Sequence, residues 1–143
     1  MSAPTVLTSD EIKVLSAKTL DARSLSYSPY SKFRVGAALI TKDGTYVQGA
    51  NVENASYGAC ICAEQTAIVK AVTAGHRHFT AIGVASSAGT YTSPCGICRQ
   101  VLREFAPNIL IYMFAEDGTF VMEPLTAMLP RSFGPEDLDI VPA

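Results

Sequence analysis

No stretch of the 143-residue chain approaches the roughly 20 consecutive apolar residues that a membrane-spanning helix needs. The N-terminus also lacks the basic region and following apolar run of a secretory leader. A cytoplasmic protein with no membrane partner is therefore expected. Lys and Arg number 11 against 13 Asp and Glu, giving a net charge of −2, and no basic cluster occurs. Nucleic-acid binders carry a basic stripe to neutralise phosphates, so no nucleic-acid partner is expected either. Internal repeats, linkers and low-complexity segments are missing. What is present is 48% hydrophobic and 17% charged, the balance of a compact globular protein. A single domain over residues 1–143 is long enough to bury about two-thirds of the surface of its unfolded chain.

Thr8-Ser-Asp-Glu11 has the form of a capping box, and Ile12, Leu15, Thr19 and Ala22 follow at helical spacing. Together they predict a helix from about Ser9 to Ser24. Ser26 to Ser31 reads as a loop around Pro29. Phe33 to Thr41 alternates as a half-buried strand with Phe33, Val35, Ala37 and Leu39 on one face. Lys42-Asp43-Gly44 then turns the chain into a second strand, Thr45 to Val52. Ala63 to Ala74 carries an apolar helical stripe that Gly75 can end. Phe79 to Ser86 and Asn108 to Ala115 read as buried strands. Between them Ser93 is placed to cap a helix with Pro94 in its first position. After the turn Glu116-Asp117-Gly118 come a short strand, Thr119 to Met122, a short helix, Pro124 to Leu129, and an irregular tail, Pro130 to Ala143. This order predicts an α/β fold, a three-layer αβα sandwich with a mixed five-stranded sheet. Right-handed crossovers would start both crossover helices on one side of the sheet, bringing Cys62 to Cys95 and Cys98.

The cysteines are Cys60, Cys62, Cys95 and Cys98. Two tight pairs in a reducing compartment favour metal binding over disulfides. Cys62-Ala-Glu64, answered by Pro94-Cys95-Gly-Ile-Cys98, supplies three thiolates and one carboxylate. Three protein ligands leave the fourth corner of a tetrahedral zinc open, as a catalytic site requires. Helix N-termini lower thiol pKa values, and soft sulfur favours zinc over magnesium or calcium while leaving ferrous iron open. Zinc-bound water reaches a pKa of about 7 in well-known zinc enzymes, although three thiolates weaken the metal as a Lewis acid. If the helix is already regular at Cys62, Glu64 is turned from it by about 200° at the helical advance per residue and can face the open corner rather than coordinate. The bland reading is a structural four-sulfur site with Cys60 as fourth ligand, which has no use for Glu64 or Pro94. His76 and His78 follow the Gly75 cap and are expected to be exposed.

Ser28-Pro-Tyr-Ser-Lys-Phe33-Arg-Val-Gly-Ala-Ala38, Asn51-Val-Glu53-Asn-Ala55, Cys62-Ala-Glu64, Pro94-Cys-Gly-Ile-Cys-Arg-Gln100 and Ser132-Phe-Gly-Pro-Glu-Asp-Leu138 resemble the small homotetrameric class of cytidine deaminases. The resemblance covers nearly the whole chain, and the cysteine and glutamate pattern is that of zinc deaminases generally. It implies a cytidine deaminase-like fold and hydrolysis of cytidine and deoxycytidine to uridine and deoxyuridine with release of ammonia, in pyrimidine salvage. It implies one zinc per subunit on Cys62, Cys95 and Cys98. Glu64 would move a proton from zinc-bound water to ring N3 as hydroxide attacks C4, then protonate the departing amine. Asn51 and Glu53 would bond the ribose 3′-hydroxyl, Phe33 would stack near the pyrimidine, and the Ala63 amide would hold the base carbonyl. Ala55, Tyr57 and Phe133 would reach a neighbouring subunit's site, making the sites of the homotetramer shared.

On residue type alone, Phe33 reads as core, Asn51 and Glu53 as a solvated turn, and Phe133 as a packing anchor. One departure stands out. The family usually has Arg after Cys-Ala-Glu, where it offsets thiolate charge, and this chain has Gln65, an amide that donates hydrogen bonds without charge. Gln65 and the helix termini are expected to tune the sulfurs together. Competing functions are deamination of a related cytosine compound such as blasticidin S, editing of a nucleic acid, and a zinc-stabilised binding module without catalysis.

Overall fold

The computed structural model describes residues 3–142. Met1, Ser2 and Ala143, at the ends of the domain expected over 1–143, lie outside the described residues. Helix α1, Ser9–Ala22, opens on the capping box expected of it: Glu11 N–H donates to Thr8 Oγ at 3.3 Å and Thr8 N–H to the Glu11 carboxylate at 2.7 Å. The helix ends two residues early and tightens into a 3₁₀ turn, Arg23–Leu25. Strands β1, Val35–Thr41, and β2, Tyr46–Ala50, form a hairpin around Lys42-Asp43-Gly44, with Gly44 at φ 86°. Then come α2, Ala63–Thr73, β3, Phe79–Ser86, α3, Gly96–Phe105, β4, Leu110–Phe114, β5, Phe120–Pro124, and α4, Leu125–Met128.

The sheet order is β2-β1-β3-β4-β5, with β3 and β4 parallel and the other neighbours antiparallel. Since β2 and β3 both run against β1, they run parallel to each other. The helices that follow them, α2 and α3, therefore begin at the same edge of the sheet. They lie together on one face, where Ala63, Ala67, Ile68, Leu102 and Leu125 close a core over Leu39, Ile82 and Ile111. On the other face, Leu15 of α1 packs with Ala38, Ile40, Tyr112 and Phe114. These are the three expected layers.

Three local expectations are corrected. Strand β1 is buried on both faces rather than half-buried: Ala37 and Leu39 join one core, Ala38 and Ile40 the other. A strand between two layers of helix needs no alternation, and Val-Gly-Ala-Ala-Leu-Ile is such a run. Phe33 lies before the strand and is 40% exposed. The cap of α3 is Cys95 rather than Ser93, so Pro94 precedes the helix. Ser93 Oγ instead accepts from the Arg99 guanidinium at 2.7 Å. The tail is also less irregular than its composition suggests, since Pro135–Leu138 forms a 3₁₀ turn and Glu136 pairs with Arg103 of α3.

One close approach fixes α2. A Cβ on Gly49 of β2 would stand 2.4 Å from Ala67 N and 2.5 Å from Ala63 O, so only glycine lets helix backbone meet strand backbone here. Gly75, at φ 98°, ends that helix as its sequence position predicts.

Candidate active site

Both helix starts are capped by cysteine. Cys62 and Cys95 are extended, with φ −70° and −68°, while their carbonyls already accept from Thr66 and Arg99 at 3.1 and 3.0 Å. Their thiols therefore sit where a cap oxygen would, beside unsatisfied amides and the positive end of each helix. Cys98 comes from the first turn of α3. Sγ of Cys62 and Cys95 are 3.7 Å apart, and those of Cys95 and Cys98 3.6 Å. All three lie within 4.8 Å of one another, the one such group of potential metal ligands among the described residues. A tetrahedron with metal–sulfur bonds of about 2.3 Å has sulfur–sulfur edges of about 3.8 Å. The spacing thus fits zinc, as does the donor set.

Cys60 is not in this group. Its Sγ accepts from Asn54 N–H at 3.3 Å, which leaves a four-sulfur site without its fourth member. His76 lies 3.6 Å from Asp43, and His78 is exposed.

The electrostatics follow from the crowding of sulfur. Hydrogen bonding from Cys98, and then from Cys95, pulls the Cys62 thiol down to about 6 against its burial. Cys98 moves the opposite way, first through the same bond, then through its burial and the Glu64 charge. Glu64, only 4% exposed, is pushed up to about 7, chiefly by burial and further by the negative charge of Cys62. It is a carboxyl poised to gain and lose a proton near neutrality.

Gln65 faces the backbone rather than acting as a free amide: its Oε1 accepts from Cys62 N–H at 3.1 Å. This is the reciprocal arm of a capping box. The loop before α3 is clamped by Arg99, which donates to Pro94 O at 2.9 Å, Met128 O at 2.8 Å and Ser93 Oγ. Nothing in the local sequence pattern marked Arg99 for this, because Met128 lies far along the chain.

A cavity of about 330 Å³ opens here, lined among others by Phe33, Asn51, Glu53, Cys62, Ala63, Glu64 and Cys95. Cys98 is buried and does not line it. Asn51 Nδ2–H donates to Phe33 O at 2.8 Å, and its Oδ1 accepts from Val35 N–H and Ser26 Oγ–H. Glu53 accepts the amides of Tyr30 and Ser31 at 3.0 and 3.1 Å and also the Ser31 hydroxyl, which hold its carboxyl below the usual range, the Ser31 hydroxyl most of all. The solvated turn read from residue type is therefore a fastening of the Ser28–Phe33 loop. Ser31, Thr92 and Ser93 also line the cavity, and no sequence motif assigns them a part in the site. Ala55, Tyr57 and Phe133 lie outside it and are exposed, Tyr57 by 74% and Phe133 by 57%.

The family model of the cytidine and deoxycytidylate deaminase zinc-binding region matches residues 9–114. The cytidine deaminase of Halalkalibacterium halodurans is 41% identical over 128 residues, covering 89% of this chain and 97% of that protein. That of Sporosarcina psychrophila is 42% identical over 129 residues, covering 90% and 95%. The crystal structure of cytidine deaminase from Burkholderia pseudomallei superposes with a TM-score of 0.82 at 41% identity, over 89% of this chain and all of the other. The Mycobacterium tuberculosis structure gives 0.76 at 36%, over 85% and 96%.

Proposed function

The chain belongs to the cytidine and deoxycytidylate deaminase family, and we propose that it hydrolyses cytidine and deoxycytidine to uridine and deoxyuridine with release of ammonia, in pyrimidine salvage. The observation that carries this is a buried carboxyl, Glu64, that shares a cavity with Cys62 and Cys95 of a three-sulfur cluster with zinc spacing. Cys62, Cys95 and Cys98 would hold the ion, one per subunit. Zinc, when bound, supplies the Lewis acidity that makes water a nucleophile at neutral pH.

The remaining work belongs to side chains. Glu64 takes a proton from the attacking water and delivers it to ring N3, then takes the remaining proton from the hydroxyl formed at C4 and gives it to the amino group, which leaves as ammonia while the C4 carbonyl forms. Its burial matches it to this task, since a proton carrier works best with a pKa near the working pH. Phe33 lies against the pyrimidine, and the Ala63 amide at the start of α2 holds the base carbonyl.

The sugar falls to Asn51 and Glu53, whose existing bonds leave little capacity. A carboxylate accepts about four hydrogen bonds and an amide nitrogen donates two. Glu53 already accepts from three donors and Asn51 donates one bond, leaving about one acceptor and one donor between them. A ribose hydroxyl, which donates and accepts, matches that pair. We assign it as the 3′-hydroxyl.

Ala55, Tyr57 and Phe133, exposed beyond their own cavity, would complete a neighbouring subunit's site in a homotetramer. Among the described residues no helix is long and apolar enough to cross a membrane. Residence in the cytoplasm is part of the same proposal. The test is ultraviolet absorbance of cytidine with purified protein, with and without a zinc chelator. Conversion that the chelator abolishes and added zinc restores is expected. No conversion by zinc-loaded protein would overturn the proposal.

A further inference from the structure

The segment from Ser28 to Arg34 precedes β1, and only its last residue is tied to the end of β3, Arg34 N–H donating to Ser87 Oγ at 3.1 Å and Arg34 O accepting from Ser87 N–H at 2.8 Å. It is closed by Lys32 N–H donating to Ser28 O at 3.0 Å, with Lys32 in the left-handed region at φ 59°. Both polar groups of the Phe33 backbone end on side chains. Phe33 N–H donates to Ser31 Oγ at 3.0 Å, and Phe33 O accepts from Asn51 Nδ2 at 2.8 Å. Ser31 Oγ–H in turn donates to Glu53 Oε2. A continuous relay therefore runs from the Phe33 amide through one hydroxyl to the carboxylate that faces the sugar. Its members, Phe33, Ser31 and Glu53, all line the cavity.

We propose that Ser31 is the positioning residue that couples recognition of the sugar to placement of the Phe33 ring against the base. The inference rests on the nucleoside deaminase reading above and adds a residue to it. Ser31 does not act on the substrate itself. It holds the Glu53 carboxylate toward the sugar with the bond it donates, and it fixes the Phe33 backbone with the bond it accepts. A sugar hydroxyl that donates to Glu53 fixes the carboxylate in the orientation Ser31 shares, so the loop bearing Phe33 loses less freedom when the base docks. A substrate without that hydroxyl leaves the Phe33 platform loose. Sugar and base are then read together rather than by independent contacts.

The test compares kcat and KM for cytidine and 3′-deoxycytidine in the zinc-loaded parent, Ser31→Ala and Ser31→Thr. Ser31→Ala is expected to lower kcat/KM for cytidine about tenfold, mainly through KM, the scale of one lost hydrogen bond. It should lower that for 3′-deoxycytidine far less, so that the preference between the two narrows. Ser31→Thr keeps a hydroxyl and should restore most of the preference, with zinc content unchanged throughout. Equal loss on both substrates, or no loss on either, overturns the coupling.

A second measurement needs no variant. Hydrogen exchange at the Phe33 amide of the parent should slow with uridine and slow less with 3′-deoxyuridine; equal slowing by both again overturns the coupling. A parent that deaminates no cytosine nucleoside defeats the deaminase reading, whereas an unaltered preference in an active Ser31→Ala defeats this inference alone.

Discussion

Replacing Gly49 with alanine would drive a methyl group into the first turns of α2. Its carbon would stand 2.4 Å from Ala67 N, 2.5 Å from Ala63 O and 2.9 Å from Ala67 Cα, all of them backbone atoms that cannot swing aside. Ordinary contact needs about 3.5 Å, so the helix must withdraw by about 1 Å. Overpacking of this kind costs about 1–3 kcal/mol. For a chain of this size each kcal/mol moves Tm by about 2–4 °C, so a fall of roughly 2–12 °C is expected. The consequence for chemistry is larger, because α2 carries Cys62 at its cap and Glu64 in its first turn. A displacement of about 1 Å in a reacting group can cost about a hundredfold in rate. Thermal melting and kcat/KM on cytidine, measured on the same preparation, read both effects. A variant within about 1 °C and twofold of the parent would refute the seating of α2 on β2 described above.

Other expectations are simpler to state. Cys95→Ser should lose most of its bound zinc, measured by elemental analysis, whereas Cys60→Ser should keep the parent's content because its sulfur lies outside the cluster. Gln65→Arg removes the acceptor that holds Cys62 N–H and should cost about 1 kcal/mol of stability, read by denaturant midpoint. The added positive charge should also move the acid limb of the pH–rate profile to lower pH; an unmoved limb would show that position 65 does not tune the sulfurs. Asp43 is held down at about 2, first by the Thr41 hydroxyl and then by Thr45. Between its ordinary value and that one the unfolded chain binds more protons than the folded protein, so the contribution is present above the ordinary value and lost as pH falls. The Tm difference between the parent and Asp43→Asn should therefore shrink between about pH 4 and pH 2.

The parts of this molecule written in neighbouring residues were legible from the sequence. The Thr8–Glu11 capping box and the Gly75 stop depend on chemistry within a few positions, and the meeting of Cys62 with Cys95 and Cys98 follows from the order of strands and helices. Burial of β1 on both faces was misread because small residues such as Gly36, Ala37 and Ala38 blur an alternation. The cap of α3 shifted because a thiol at Cys95 occupies the place assigned to the Ser93 hydroxyl. What could not be read locally is where polar side chains spend their hydrogen bonds. Asn51 and Glu53 fasten a loop that precedes them by a whole hairpin, and Arg99 reaches Met128. Such partners are chosen by the packed fold, and no spacing rule announces them. Gln65 shows both sides: its identity raised a question of charge, and the structure added a backbone bond.

The central claim is that a buried acid beside the sulfur cluster moves the protons of the reaction. Glu64→Gln tests it most directly, because the amide fills nearly the same volume but neither takes up nor releases a proton at working pH. The measurement is single-turnover conversion of cytidine to uridine by zinc-loaded variant and parent, with zinc content and Tm checked beside it. General acid–base catalysis contributes about 10²–10⁴ per proton transfer, so the variant should bind zinc and fold as the parent does yet react at least about a hundredfold more slowly. A fully metallated Glu64→Gln protein turning over at the parent's rate would contradict the account.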